Sequence, residues 1–174
     1  VWIDMENSPY TQQTIRMYRK LRAQHENTGI CIQTYLKRAK KDILSLALDN
    51  PKIRLVKGAY PEPTDLVYDS HRKITDNFKE LLKLCVEKNA YAAVASHDME
   101  IISYALHLRP KKERIEFQLL MGVREDEKKM LVEKGFLVKE YVPFGSSWEQ
   151  YVLRRVGERW RNIWWMIKSK LSGS

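Results

Sequence analysis

At 174 residues, with 44% hydrophobic and 30% charged side chains, the chain has the composition of a soluble globular domain with a sizeable core, which excludes disordered and fibrous classes. No apolar run approaches the roughly 18 residues that would span a bilayer, and no signal peptide opens the sequence. The net charge of +9 permits anionic partners, but it is scattered over Lys37–Lys41, Arg109–Arg114 and the Lys168/Lys170 tail, forms no nucleic-acid module and reads mostly as solvated helix faces.

In chain order, short apolar runs alternate with amphipathic stretches. A strand at Val1–Asp4 leads to a helix over Pro9–Gln24, with Ser8 as its N-cap and Pro at the first helical position. A second strand, Gly29–Thr34, precedes a helix at Arg38–Leu48. The third, Ile53–Lys57, precedes Asp65–Glu87, where Ile74, Phe78, Leu81, Leu82 and Cys85 recur three and four apart. Tyr91–Ser96 is followed by Met99–His107, Ile115–Leu120 by Glu125–Glu133, and Phe136–Tyr141 by Trp148–Arg161. Runs rich in Ile, Val and Leu, each followed by a helix, predict an α/β fold with buried parallel strands.

Six βα units do not close a (β/α)8 barrel, which needs eight strands and typically about 250 residues. The chain opens at a strand end without an initiator Met, so about six of the eight units are expected here, in one barrel domain over residues 1–174, with the N-terminal part missing and 159–174 as a tail. A doubly wound sheet is the structural alternative. It normally carries a Gly-rich phosphate turn, and the glycines at 29, 58, 122, 135, 145, 157 and 173 form neither GxGxxG nor a P-loop.

Polar side chains favour the barrel. Alternation puts Cys31, Gln33 and Tyr35 on one face of the second strand, Arg54, Val56 and Gly58 on one face of the third, and Glu116, Gln118 and Leu120 on one face of the fifth. Asp4, Ser96 and Tyr141 stand at the C-terminal ends of three others. Such groups need partners or a ligand, and the C-terminal mouth of a barrel is where active sites lie. His25, His71, His97 and His107 show no zinc spacing, so no metal is expected, and the contiguous Ser96-His97-Asp98 is not a triad. Cys31 and Cys85 read as buried free thiols of a reducing cytosol.

At RLVKGAY, Arg54 to Tyr60, the sequence resembles the proline dehydrogenase family, including the proline-oxidising domain of bifunctional proline-utilisation proteins. IDMEN at Asp4, IQTYLKR at Gln33, IEFQLLMG at Gln118 and Leu120, and YVPFG…YVLRRVGE from Tyr141 to Glu158 extend the likeness over nearly the whole chain. The resemblance implies a (β/α)8 barrel with FAD at its mouth. It implies hydride transfer from L-proline to flavin N5, giving Δ1-pyrroline-5-carboxylate, and electrons passed to a quinone. This would be the first step of proline catabolism, in the cytoplasm or at the inner face of the membrane, with no nucleic-acid partner.

By position, Arg54 is expected near flavin N5, Val56 and the Lys57-Gly58-Ala59 segment along the cofactor, and Gln33 at the pyrimidine edge, with Gln118 also touching cofactor. Ser96 and His97 take the place of a family Thr-His pair, and Asp98 replaces an Asn. Ser70 and His71 match adenine-side contacts. Asp4, Tyr60, Leu120 and Tyr141 are expected to line the proline pocket, with Arg154 and Arg155 gripping the carboxylate. Asp4, Tyr141, Arg154, Arg155 and Glu158 form the catalytic set; Glu158, four and three residues after the arginines, is placed to hold them. The family's active-site lysine lies upstream of Val1, which leaves activity to a longer parent protein.

Alternatives are a hydroxyproline oxidase of the same family, which the bulky Tyr141 argues against, and a non-catalytic basic module for membranes or nucleic acid. Trp164, Ile163, Ile167 and Leu171, with Arg161, Lys168 and Lys170 nearby, make the tail a candidate for lying on a membrane surface.

Overall fold

The computed structural model describes residues 1–47 and 50–142. The chain divides into two compact units, Val1–Glu140 and Tyr141–Ser174. The predicted helix at Trp148–Arg161 and the tail lie outside the described residues, as do Arg154, Arg155 and Glu158.

Six strands form one sheet in sequence order: β1 Trp2–Ile3, β2 Gly29–Gln33, β3 Lys52–Val56, β4 Tyr91–Val94, β5 Ile115–Leu120 and β6 Leu137–Tyr141. β1 through β5 pair in parallel. Helices α1 Thr11–Arg22, α2 Ala39–Leu46, α3 His71–Glu87, α4 Met99–His107 and α5 Glu125–Glu133 follow the first five strands in turn. Consecutive parallel strands joined by helices, with no reversal of strand order, are the build of a (β/α) barrel; a doubly wound sheet would reverse its order at a switch point.

The core lies between the sheet and its helices. Ile30, Ile32, Ile53, Leu55, Val94, Ile115, Phe117 and Leu119 meet Ile15, Tyr18, Ile43, Phe78, Leu81, Leu82, Ile101 and Ile102 from the helices, all essentially buried. Along β3 burial alternates, with Ile53 and Leu55 at 0% exposure and Lys52, Arg54 and Val56 more open. The helix side is therefore apolar, and polar residues gather on the other face. There, pairing aligns Cys31, Arg54, Ala93 and Glu116 in one row and Gln33 with Val56 in the next. Cys31 and Cys85 are buried free thiols, as expected, each pushed up to about 12; burial does this for both, against a backbone hydrogen bond from Met5 at Cys31.

Many boundaries shift by one or two residues from the sequence reading, and three of the differences come with identifiable hydrogen bonds. Ser8 is not a cap: its backbone N–H and hydroxyl both donate to the Glu62 carboxylate, at 2.5 and 2.6 Å, and a short 3-10 turn, Ser8–Tyr10, leads into α1. α3 starts at His71 and not Asp65, because Ser70 caps it by accepting from the Lys73 N–H, while Val67 forms an antiparallel bridge with Leu36. Strand β4 stops at Val94, although the Ala95 N–H still reaches the Leu55 carbonyl.

Candidate active site

Strands β1 to β5, toward their C-terminal ends, and the loops that leave them carry the described site residues other than Tyr141. Arg54 is central. Its Nη2 pairs with Asp4 Oδ1, its Nη1 lies 3.5 Å from Gln118 Oε1, and its guanidinium sits 5.3 Å from the centre of the Trp2 ring. Residues in or just after β1 and in β5 thus fix one planar cation carried by β3, whose fork suits two partners at once. The Arg54 side chain is only 14% exposed, whereas that of Asp4 is 72% exposed.

Gln33 joins the loops. Its Nε2 donates to the Glu6 carbonyl at 2.9 Å, and its Oε1 receives the Ala59 N–H at 3.4 Å. The Tyr60 hydroxyl donates to Glu6 Oε2 at 2.6 Å. Gly58 makes this closure possible. It has φ +116°, and a Cβ there would lie 2.2 Å from the Tyr35 ring. The Tyr35 hydroxyl in turn donates to the Tyr60 carbonyl. Burial, with the Glu62 charge adding to it, pushes that phenol up to about 12.

On the other side of β3, Lys57 Nζ donates to Asp98 Oδ2 at 2.6 Å and lies 2.8 Å from His71 Nε2. Asp98 also caps α4, accepting from the Glu100 N–H, while its own N–H donates to Ser96 Oγ. The neighbouring His97 accepts the Leu120 N–H at Nε2, 2.9 Å away, so it bridges the ends of β4 and β5. Burial opposes ionisation of Asp98, but the hydrogen bond and charge of Lys57 outweigh it and hold the carboxyl below its usual value of 3.8. A carboxyl depressed in the folded state stabilises above the unfolded pKa and loses that contribution as pH falls through the folded one. Acid unfolding below pH 3.8 should therefore be shallower in Asp98→Asn, which keeps the cap and loses the charge. Superimposable acid limbs would show that the pair contributes nothing.

The structure brings together Asp4, Gln33, Arg54, Val56, Lys57, Gly58, Ala59, Tyr60, Ser96, His97, Gln118 and Leu120 at one end of the sheet. Tyr141 ends β6, 54% exposed. Glu6 and Tyr35 join this network beyond the expected set: Tyr35 follows Gln33 on the same strand face, and Glu6 stands two residues after Asp4. Among the described residues no cluster of His, Cys, Asp and Glu could hold a metal ion. A guanidinium, two primary amides and an ammonium, with the apolar Val56 paired beside Gln33, are the kinds of group that suit a planar ligand with hydrogen-bonding edges, while the space a side chain at Gly58 would need is filled by the Tyr35 ring.

The family profile described as proline dehydrogenase matches residues 1–162. The chain belongs to the proline dehydrogenase family. It is 37% identical over 175 residues to proline dehydrogenase 1 of Bacillus subtilis, covering 98% of this chain and 58% of that protein. Against the proline dehydrogenase of Deinococcus radiodurans it is 34% identical over 179 residues, covering 99% and 58%. The chain thus spans a little over half the length of the curated family members it matches. Among solved structures, proline utilization A from Bdellovibrio bacteriovorus, inactivated by N-propargylglycine, matches with TM-score 0.76 and 29% identity over 88% of this chain and 19% of that one. The Bradyrhizobium japonicum protein, at 21% identity and TM-score 0.77, shares the fold. The barrel reading holds for the six strands and the five helices between them, while the helix of the sixth unit lies outside the described residues.

Proposed function

We propose that the full-length protein oxidises L-proline to Δ1-pyrroline-5-carboxylate with FAD as cofactor and passes the electrons to a quinone. The observation that carries this reading is the Arg54 guanidinium, braced by Asp4 and Gln118 at the sheet's C-terminal end in a chain of this family. Bound flavin would supply the hydride acceptor. Arg54 and Gln118 would meet its polar edge, Gln33 its pyrimidine side, and Val56, Lys57, Gly58 and Ala59 would run along it, with Ser96 and His97 beyond. Asp4, Tyr60, Leu120 and Tyr141 would shape the proline pocket.

Absorbance tests the reading. The purified full-length protein should carry a flavin band that L-proline bleaches without oxygen and a soluble quinone restores. Colourless protein, or a band indifferent to L-proline, would overturn it, and faster bleaching by hydroxyproline would move it to the hydroxyproline oxidase.

Arg154 and Arg155 are proposed to hold the substrate carboxylate, with Glu158 steadying them. A planar fork makes two parallel hydrogen bonds that lysine cannot. Losing one charge-assisted contact costs about 1.5–3 kcal/mol, on the order of tenfold to more than a hundredfold in kcat/KM. Arg154→Met and Arg155→Met should show that loss with flavin retained, and Glu158→Ala a smaller one. Normal kinetics in both arginine variants would place the carboxylate elsewhere.

A further inference from the structure

Glu116 lies beneath the proposed site with its side chain at 0% exposure. A carboxylate so buried is costly unless donors surround it. Here they come from three strands. Tyr91 of β4 donates its hydroxyl to Oε2 at 2.5 Å, Lys139 of β6 brings Nζ to the same oxygen at 2.7 Å, and Gln118 of β5 donates Nε2 to Oε1. Lys139 supplies the opposite charge.

The direction of the next link follows from what each group can do. A carboxylate only accepts and a guanidinium only donates, while an amide has one end of each kind. With its NH2 end on Glu116, Gln118 turns its carbonyl oxygen to Arg54 Nη1. The reverse orientation would set the amide NH2 against the guanidinium and its oxygen against the carboxylate. Like ends would then face each other at both contacts.

We propose that Glu116 is a positioning residue: it fixes the Gln118 amide so that the carbonyl holds Arg54 at the mouth of the barrel. The link between Glu116, Gln118 and Arg54 rests on this chain's own contacts; its effect on catalysis rests on the function proposed above. Tyr91 and Lys139 act only on the far oxygen. They stabilise the carboxylate without touching the amide.

Glu116→Gln in the full-length protein tests this. Its single acceptor cannot serve three donors, so the amide at 118 loses its fixed orientation. Flavin should be retained, its visible band should shift, and kcat should fall on the order of tenfold. In a Gln118→Leu background the same change should cost less than a further twofold, because its effect runs through that amide. Tyr91→Phe should lower stability with kcat within twofold. Additive losses with Gln118→Leu, or a Tyr91→Phe variant as slow as Glu116→Gln, would overturn the proposal. Should Glu116→Gln not fold, Glu116→Asp keeps the charge but draws it back from the amide. It must then show the same fall in kcat. A cofactor-independent measurement separates the two claims: in glutamine-labelled protein, the Gln118 side-chain amide proton should resonate downfield and move upfield in Glu116→Gln or Glu116→Asp. An unmoved resonance overturns the relay; a moved resonance in a protein without flavin supports the relay and overturns the proposed function instead.

Discussion

Gly58→Ala should destabilise the protein by roughly 2–6 kcal/mol, from two additive causes. The first is backbone strain. An L-residue at φ +116° costs about 1–3 kcal/mol wherever the surroundings impose that angle. The second is space. The new methyl would lie 2.2, 2.4 and 2.7 Å from Tyr35 ring carbons, and forcing an extra carbon into packed surroundings costs another 1–3 kcal/mol or so. Tyr35 is 8% exposed and tied through its hydroxyl to the Tyr60 carbonyl, so its ring cannot simply swing away. If it shifts, it carries Tyr60 with it, and KM for substrate should rise as well. Denaturation of Gly58→Ala beside Gly58→Ala/Tyr35→Leu separates the causes, because only the steric part is relieved in the pair. A single variant as stable as the parent would mean that the loop after β3 readily adopts another path.

Phe117→Ala should cost about 3–5 kcal/mol, the usual price of emptying a buried aromatic site. Phe117 is 0% exposed, and its ring meets Phe136 edge-on with centroids 5.6 Å apart, a contact worth about 0.5–1.5 kcal/mol beyond the area it buries. Its neighbours in β5 are Glu116 and Gln118, on the opposite face of the same strand. A strand that settles toward the vacated space should therefore weaken flavin retention as well as stability. Urea denaturation of the full-length protein reads the first effect and flavin content after gel filtration the second. A loss below about 1 kcal/mol would show that Phe136 and its neighbours refill the site.

What the sequence made legible was local and periodic. Alternation in IRLVKG separated Arg54 and Val56 from Leu55, and alternation in IEFQLL separated Glu116 and Gln118 from Phe117, as the packing has them. The six strands and five of the helices could be found because each carries its own pattern. Distant partners could not be found this way. Ser8 has every local mark of an N-cap, yet Glu62, 54 residues away, takes both its donors. Leu66 and Val67 look like the start of a helix, but Leu36 draws Val67 into a bridge. The donor to Asp98, Lys57, is 41 residues earlier, and that separation hid what neutralises the acid. A polar side chain's type tells that it needs a partner; only the fold tells which.

The strand order also bears on how this protein comes into being. Each strand pairs with the one just before it in the chain, with no strand waiting for a later one to be inserted between. The longest such step, from β3 to β4, joins Ile53 to Ala92. Folding can thus proceed from the N-terminal end as the ribosome releases the chain, each new strand-and-helix pair docking on a template already in place. Loop-closure entropy is spread over several modest steps in this way.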